Sequence, residues 1–177
     1  MNSQDTNKNL GVLIADARKG NQGAFREIFE HLHARVFRYV LSHTPERDDA
    51  LDITQEAFVD LWKALQKFSY KSDEEFYGFV FLVVKRKIAR FYKTKRATVS
   101  FDENTMSESD EPAHEDHRFL MKQIQTLTAK YQELLRLRYW GGMKLAEAAA
   151  VLGITEGTAK VWHHRALQEL KTKVERL

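Results

Sequence analysis

The chain has 177 residues, 43% hydrophobic and 30% charged, enough for one medium domain or two small ones with the balance of a globular protein. It contains no cysteine, which excludes disulfides, thiolate nucleophiles and cysteine-ligated zinc and agrees with a reducing cytoplasm, the expected location. The N-terminal MNSQDTNKNL is no secretory signal and no stretch reaches about 18 consecutive apolar residues, so no membrane insertion is expected.

Only 2 prolines and 8 glycines interrupt the chain, and their scarcity points to an all-α fold. The net charge of +3 conceals a sharp division. Between Phe76 and Arg96 every charge is positive: Lys85, Arg86, Lys87, Arg90, Lys93, Lys95 and Arg96. Between Ser100 and His117 every charge is negative: Asp102, Glu103, Glu108, Asp110, Glu111, Glu115 and Asp116. The first block suits phosphates and the second repels them.

In chain order, Leu10, Leu13, Ile14 and Ala17 recur at helical spacing and predict a short amphipathic helix that Gly20-Asn21 ends. A second helix follows on Phe25, Ile28, Phe29, Leu32, Val36, Tyr39 and Val40. Thr44-Pro45 reads as an N-cap with proline at the first helical position, opening a third helix striped by Ile53, Ala57, Leu61, Ala64, Leu65 and Phe68 and running to about Lys67. Ser72-Asp73-Glu74-Glu75 has the form of a capping box, starting a fourth helix on Phe76, Phe79, Val80, Val83 and Ile88 that ends near Arg96.

Periodicity then stops. Residues 97–115 are acidic and polar, contain Pro112, and read as a flexible linker between a domain of residues 1–96 and one of residues 116–177. The second domain restarts on Phe119, Ile124 and Leu127. Thr128 is a candidate cap for a helix carrying Tyr131, Leu134, Leu135 and Tyr139, which Gly141-Gly142 stops. Leu145 to Leu152 predicts a short helix with Gly153 as its left-handed terminator, and Thr155 caps a last helix on Ala159, Trp162, His163, Ala166 and Leu170.

The segment KLAEAAAVLGITEGTAKVWHHRAL has the outline of a helix-turn-helix. Ala148 and Ala149 allow a close helix crossing, Ile154 plugs the turn, and the second helix would enter a major groove by its N-terminal end. Its first turn offers backbone N–H groups to phosphate, Lys160 and Arg165 add charge, and Gly157 lets backbone approach DNA. The other reading of this segment is an ordinary antiparallel helix pair. In the basic helix, Phe91 and Tyr92 lie among the cations, and aromatics beside cations stack on unpaired bases; the alternative there is a solvated basic face with Phe91 in the core.

No glycine-rich phosphate loop or nucleophile–base pair is recognisable. His163 and His164 point about 100° apart on a helix, and His31 and His33 are placed no better. His114 and His117 flank two acids but make at best a weak metal site. Asp48-Asp49 suits the positive start of a helix. No catalytic residue, metal or cofactor is expected.

GNQGAFREIFEHLHARVFRYV, then DITQEAFVDLWKAL, a basic helix and a C-terminal helix-turn-helix, in that order, resemble the extracytoplasmic-function (ECF) sigma factors of the sigma-70 family over about Leu10 to Leu170. Asp52-Ile53-Thr54-Gln55-Glu56-Ala57-Phe58 with Trp62, and Glu156-Gly157-Thr158-Ala159-Lys160 with Arg165-Ala166, carry most of the likeness. The resemblance implies a non-enzymatic subunit that takes the RNA polymerase core to promoter DNA and assists strand opening. Asp52, Gln55, Glu56, Phe58, Val59 and Trp62 would then meet the clamp helices of the largest polymerase subunit; the other reading of Phe58 and Trp62 is simple core packing. Ser69, Tyr70 and Lys71, with Lys85, Arg86, Arg90, Tyr92, Lys93, Lys95 and Arg96, would take the minus-ten element. Thr155, Glu156, Gly157, Thr158, Lys160, Val161, His164 and Arg165 would take the minus-thirty-five element as duplex. The acidic linker would thread through the polymerase toward the RNA exit path, and an anti-sigma factor is a possible partner.

This chain departs from the family pattern where Arg86 and Arg90 replace an asparagine and an aspartate, and where Phe79 replaces a tryptophan. It departs again at Trp162 and His163, which stand where arginine and leucine are usual; Trp162 either meets DNA or packs inward. Other functions to weigh are a stand-alone helix-turn-helix regulator, a helical adaptor for acidic partners and, least supported, an enzyme.

Overall fold

A computed structural model describes residues 10–44, 46–98 and 115–175. Every regular element among them is helical: α1 Leu10–Arg18, α2 Gln22–Leu41, α3 Arg47–Leu65, α4 Asp73–Thr98, α5 Glu115–Gln125, α6 Ala129–Leu135, a π-helical turn Arg136–Trp140, α7 Leu145–Leu152 and α8 Glu156–Val174. The chain divides into two compact units, residues 1–103 and 104–177. The expected linker lies outside the described residues except at its ends, where α4 continues through Thr98 and α5 begins at Glu115.

In the first unit, α1–α4 bury one apolar stripe each. Ile28, Leu32, Val36 and Tyr39 of α2, Ile53, Ala57, Leu61 and Leu65 of α3, and Phe76, Val80, Phe81 and Val84 of α4 are all at most 2% exposed. Burying each large side chain contributes about 1.5–3 kcal/mol before entropy is counted. Tyr39 meets Phe81 edge-on, with centroids 5.1 Å apart, which locks α2 to α4.

The starts of these helices follow local hydrogen bonding. Asn21 caps α2 by accepting the Ala24 N–H at 3.2 Å, and Ser72 caps α4 by accepting that of Glu75 at 3.2 Å. Thr44 does not cap α3. Its hydroxyl donates to the Val40 carbonyl at the end of α2 and to the Glu46 carbonyl at the start of α3, each at 3.4 Å, and the N-cap of α3 is Glu46, without a side-chain cap. The Val40 carbonyl at the α2 terminus, which a threonine four residues on can reach, also accepts the His43 and Thr44 backbone N–H groups at 2.8 and 3.2 Å. Pro45 is outside the described residues.

The second unit is built on Ile124, Leu127, Tyr131, Leu135, Ala166 and Leu170, with Trp140 and Trp162 packed against them. Thr128 takes the N-cap position of α6, but its backbone carbonyl, not its hydroxyl, receives the first helical N–H groups. The helix expected to carry Tyr139 changes pitch at Arg136. The Gly141 N–H reaches the Arg136 carbonyl at 2.9 Å, an i→i−5 bond that widens the last turn. α7 ends at Gly153, with φ 66 and ψ 33.

Candidate nucleic-acid and partner interfaces

On α3 the 3.6-residue period separates two faces. Asp52, Gln55, Glu56 and Val59 are exposed, Val59 to 53%. Phe58 belongs to the opposite side: it is buried, with its ring 4.6 Å from that of Phe29. It therefore supports this surface from beneath and does not project from it. Trp62 is half-buried and meets Phe25 edge-on at 4.8 Å, leaving one edge at the rim. The accessible face is thus a carboxylate and amide row with a valine among it.

The side of this row nearest α4 is tied down. Lys87, only 10% exposed, reaches Asp60 Oδ2 at 2.6 Å and Glu56 Oε2 at 3.3 Å. The Asp60 hydrogen bond, helped by Glu56, holds its pKa above the usual lysine value in spite of burial. Farther along, Lys95 pairs with Asp49 at 2.8 Å, its pKa likewise raised by that bond first. Asp49, Glu56 and Asp60 follow one stripe at helical spacing; of the three only Glu56 belongs to the expected docking row, and Lys87 counts in the sequence only toward a basic block.

Between α3 and α4, Ser69 and Lys71 are exposed and Phe68 stacks on Phe79 at 4.5 Å. Tyr70 donates its hydroxyl hydrogen bond to Asp73 Oδ1 at 2.7 Å, which pushes the phenol pKa up to about 12 and fixes the ring beside the α4 N-terminus. Along α4, Arg86, Arg90 and Lys93 are exposed and Lys85 is half-buried. Tyr92 is not a free ring, since its hydroxyl donates to the His43 carbonyl. The Arg96 side chain is outside the described residues. The structure thus brings Arg86, Arg90 and Lys93 onto one helix as exposed cations with Lys85 half-buried among them, and bonds Lys95 to Asp49 and Tyr92 to the His43 carbonyl.

In the second unit α7, the turn and α8 form the helix-turn-helix. The Ile154 N–H bonds the Ala149 carbonyl at 3.0 Å and the Gly153 N–H that of Ala150 at 3.3 Å, the Schellman pattern that ends a helix on a left-handed residue. Thr155 accepts the Thr158 N–H at 3.1 Å and caps α8. Buried Glu147, which sequence reasoning misses, takes the Lys144 backbone N–H at 2.8 Å and so caps α7. Thr155, Glu156, Gly157, Lys160, Val161, His164 and Arg165 are exposed, and Thr158 is half-buried. Lys160 pairs with Glu156 at 2.8 Å, one turn back, with both ends largely in solvent; such a pair is worth only about 0.3–0.5 kcal/mol, so phosphate can compete for the lysine.

Trp162 packs inward against the core, edge-on to Tyr131 with Lys130 over its ring at 5.0 Å. His163 points the other way, its Nε2 3.0 Å from the Tyr139 hydroxyl. Burial, then Arg138 and His164, hold its pKa below the usual histidine value. Among the described residues no three acids or histidines converge as a metal site, and no helix is long and apolar enough to cross a membrane.

One helical unit with a basic helix beside an acidic one, and a second unit holding a capped helix-turn-helix, define a two-domain DNA-binding transcription protein. Residues 28–98 match the family model described as Sigma-70 region 2, and residues 119–170 match Sigma-70, region 4. The chain belongs to the sigma-70 family, in its ECF group. The ECF RNA polymerase sigma factor SigD of Mycobacterium tuberculosis is 28% identical over 178 residues, covering 93% of this chain and 84% of the relative. BldN of Streptomyces coelicolor is 25% identical over 167 residues, covering 89% of this chain; the chain spans 63% of that relative's length. Among solved structures, CnrH in complex with the cytosolic domain of CnrY aligns with a TM-score of 0.72 at 23% identity, over 94% of this chain and 97% of that one. RpoE in complex with the anti-sigma factor NepR, from Bartonella quintana, aligns at 0.65 and 19%, over 85% and 96%. At these identities the structures speak for the fold.

Proposed function

We propose that this protein is a non-catalytic subunit that directs the RNA polymerase core to promoters in the cytoplasm and helps to open them. The exposed Asp52, Gln55, Glu56 and Val59 row of α3, rimmed by Trp62, docks on the clamp helices of the largest polymerase subunit. Phe58 shapes that row without touching the partner. The loop carrying Ser69, Tyr70 and Lys71, with Lys85, Arg86, Arg90 and Lys93 of α4, holds the minus-ten element as its strands separate. The α8 N-terminus, from Thr155 to Arg165, lies in the major groove of the minus-thirty-five element. An anti-sigma factor, of the kind RpoE is bound to, is the regulatory partner.

The observation that carries this reading is the opposite dressing of two adjoining helices: acids and an amide on the open face of α3, arginines and lysine on that of α4. A stand-alone duplex-binding regulator needs neither surface. Asp52→Ala combined with Gln55→Ala tests it, because neither side chain is buried and the fold should survive. In a titration against core polymerase the double variant should bind at least about tenfold more weakly, the loss of one or two central polar contacts; equal affinity would remove the docking face from the account.

A further inference from the structure

The acidic row of α3 is not an isolated surface, because α4 reaches into it. α3 and α4 run antiparallel, so that Asp49 meets Lys95 near one end and Glu56 and Asp60 meet Lys87 toward the other. Of these contacts the Lys87 fork is the sheltered one. Its side chain is 10% exposed, while the Glu56 side chain beside it is 68% exposed and that of Asp60 43%. The shorter bond, 2.6 Å, goes to Asp60 and the longer, 3.3 Å, to Glu56. A lysine so placed is anchored by one carboxylate and steers the other.

We infer that Lys87 is a positioning residue for polymerase docking: anchored on Asp60, it holds the Glu56 carboxylate in one orientation on the open face of α3. The inference rests on the docking reading given above and adds to it a residue that lies on the DNA-binding helix. Glu56 and Asp60 are one helical turn apart, and without a cation between them the two carboxylates repel. Each then turns to solvent on its own, and Glu56 has to be re-ordered when the partner arrives, at an entropic cost to affinity. The raised pKa of Lys87 agrees with a permanently charged group at this position. Because Lys87 sits on the same helix as Arg86 and Arg90, the surface that meets polymerase and the surface that meets the promoter share a single tether. Lys87 itself touches neither partner.

The test is a double-mutant cycle on affinity for core polymerase, using the full-length protein. Lys87→Met keeps the apolar stem and removes the charge; Lys87→Arg keeps the charge and a fork of donors; Asp60→Asn loosens the anchor. Glu56→Gln supplies the other side of the cycle, and thermal unfolding reports whether each variant is folded. Lys87→Met and Glu56→Gln should each weaken core binding by about tenfold, and together by no more than either alone, since coupled residues are non-additive. Lys87→Arg, which keeps the charge, should bind core more tightly than Lys87→Met. Additive losses, or unchanged affinity in folded Lys87→Met, would overturn the inference. Should Lys87→Met not fold, Asp60→Asn takes its place in the cycle: non-additive loss with Glu56→Gln supports the positioning role, and additive loss or unchanged affinity overturns it. If Glu56→Gln is silent while Asp52→Ala and Gln55→Ala weaken binding, the positioning role fails and the docking face stands. If all three are silent, the docking face itself fails.

Discussion

Gly153 joins the two helices of the DNA-binding motif, and the consequence of filling it can be worked from its geometry. Its φ of 66 and ψ of 33 are left-handed, and a Cβ built there meets nothing within 4 Å. Gly153→Ala therefore adds backbone strain without a clash. A non-glycine residue in this conformation costs about 1–2 kcal/mol, while the reduced freedom of the unfolded chain returns about 0.4–1 kcal/mol. The net destabilisation should be about 1 kcal/mol, which lowers the melting midpoint of a domain this small by about 4–8 °C. Gly153→Asn should lose less, because asparagine visits the left-handed region more readily. The assay is thermal unfolding of the full chain followed by the tryptophan signal, since Trp140 and Trp162 both report on this unit. If alanine were neutral or stabilising, or asparagine no better than alanine, the turn would not be held as described.

Three further outcomes are expected. Burial, then Arg138 and His164, lower the His163 pKa, so the folded state favours the neutral ring. Its contribution to stability is present above the unfolded value of 6.5 and is lost as pH falls below it, while the unfolded chain takes the proton first. The midpoint of the second unit should drop between about pH 7.5 and about pH 5.5 more in the parent than in His163→Leu; parallel curves would refute the assignment. Tyr70→Ala should impair promoter opening, read by permanganate reactivity, more than initial duplex binding, by the loss of a stacking partner worth about 1–3 kcal/mol. Tyr92→Phe should leave opening nearly intact, because the hydroxyl serves the His43 carbonyl; the reverse ranking would contradict the placement of these rings.

What can be read from the residues is set by short-range chemistry. The helices of the first unit, the Gly153 stop and the Thr155 cap follow from apolar spacing and from side chains that bond three residues away, so they are visible in the sequence. Thr44 misleads because its hydroxyl donates to carbonyls on both sides of the turn instead of accepting an N–H of α3, an arrangement only the folded turn sets. The π-helical turn at Arg136–Trp140 leaves the apolar period unchanged and has no signature of its own. Phe58 and Trp62, four residues apart, are ambiguous between core and surface until the packing of Phe29 and Phe25 separates them. Lys87 escapes notice because its two partners lie on another helix, although the spacing of Asp49, Glu56 and Asp60 already draws the stripe that receives α4.

The central claim is that these two helical units select promoters for RNA polymerase. Transcription reconstituted from purified core polymerase, this protein and genomic DNA, with the start sites mapped, tests it directly. The account predicts start sites that appear only when the protein is added and that share two upstream elements at a fixed separation. Transcripts identical with and without it, or retention of duplex DNA by the protein with no association to core, would contradict it.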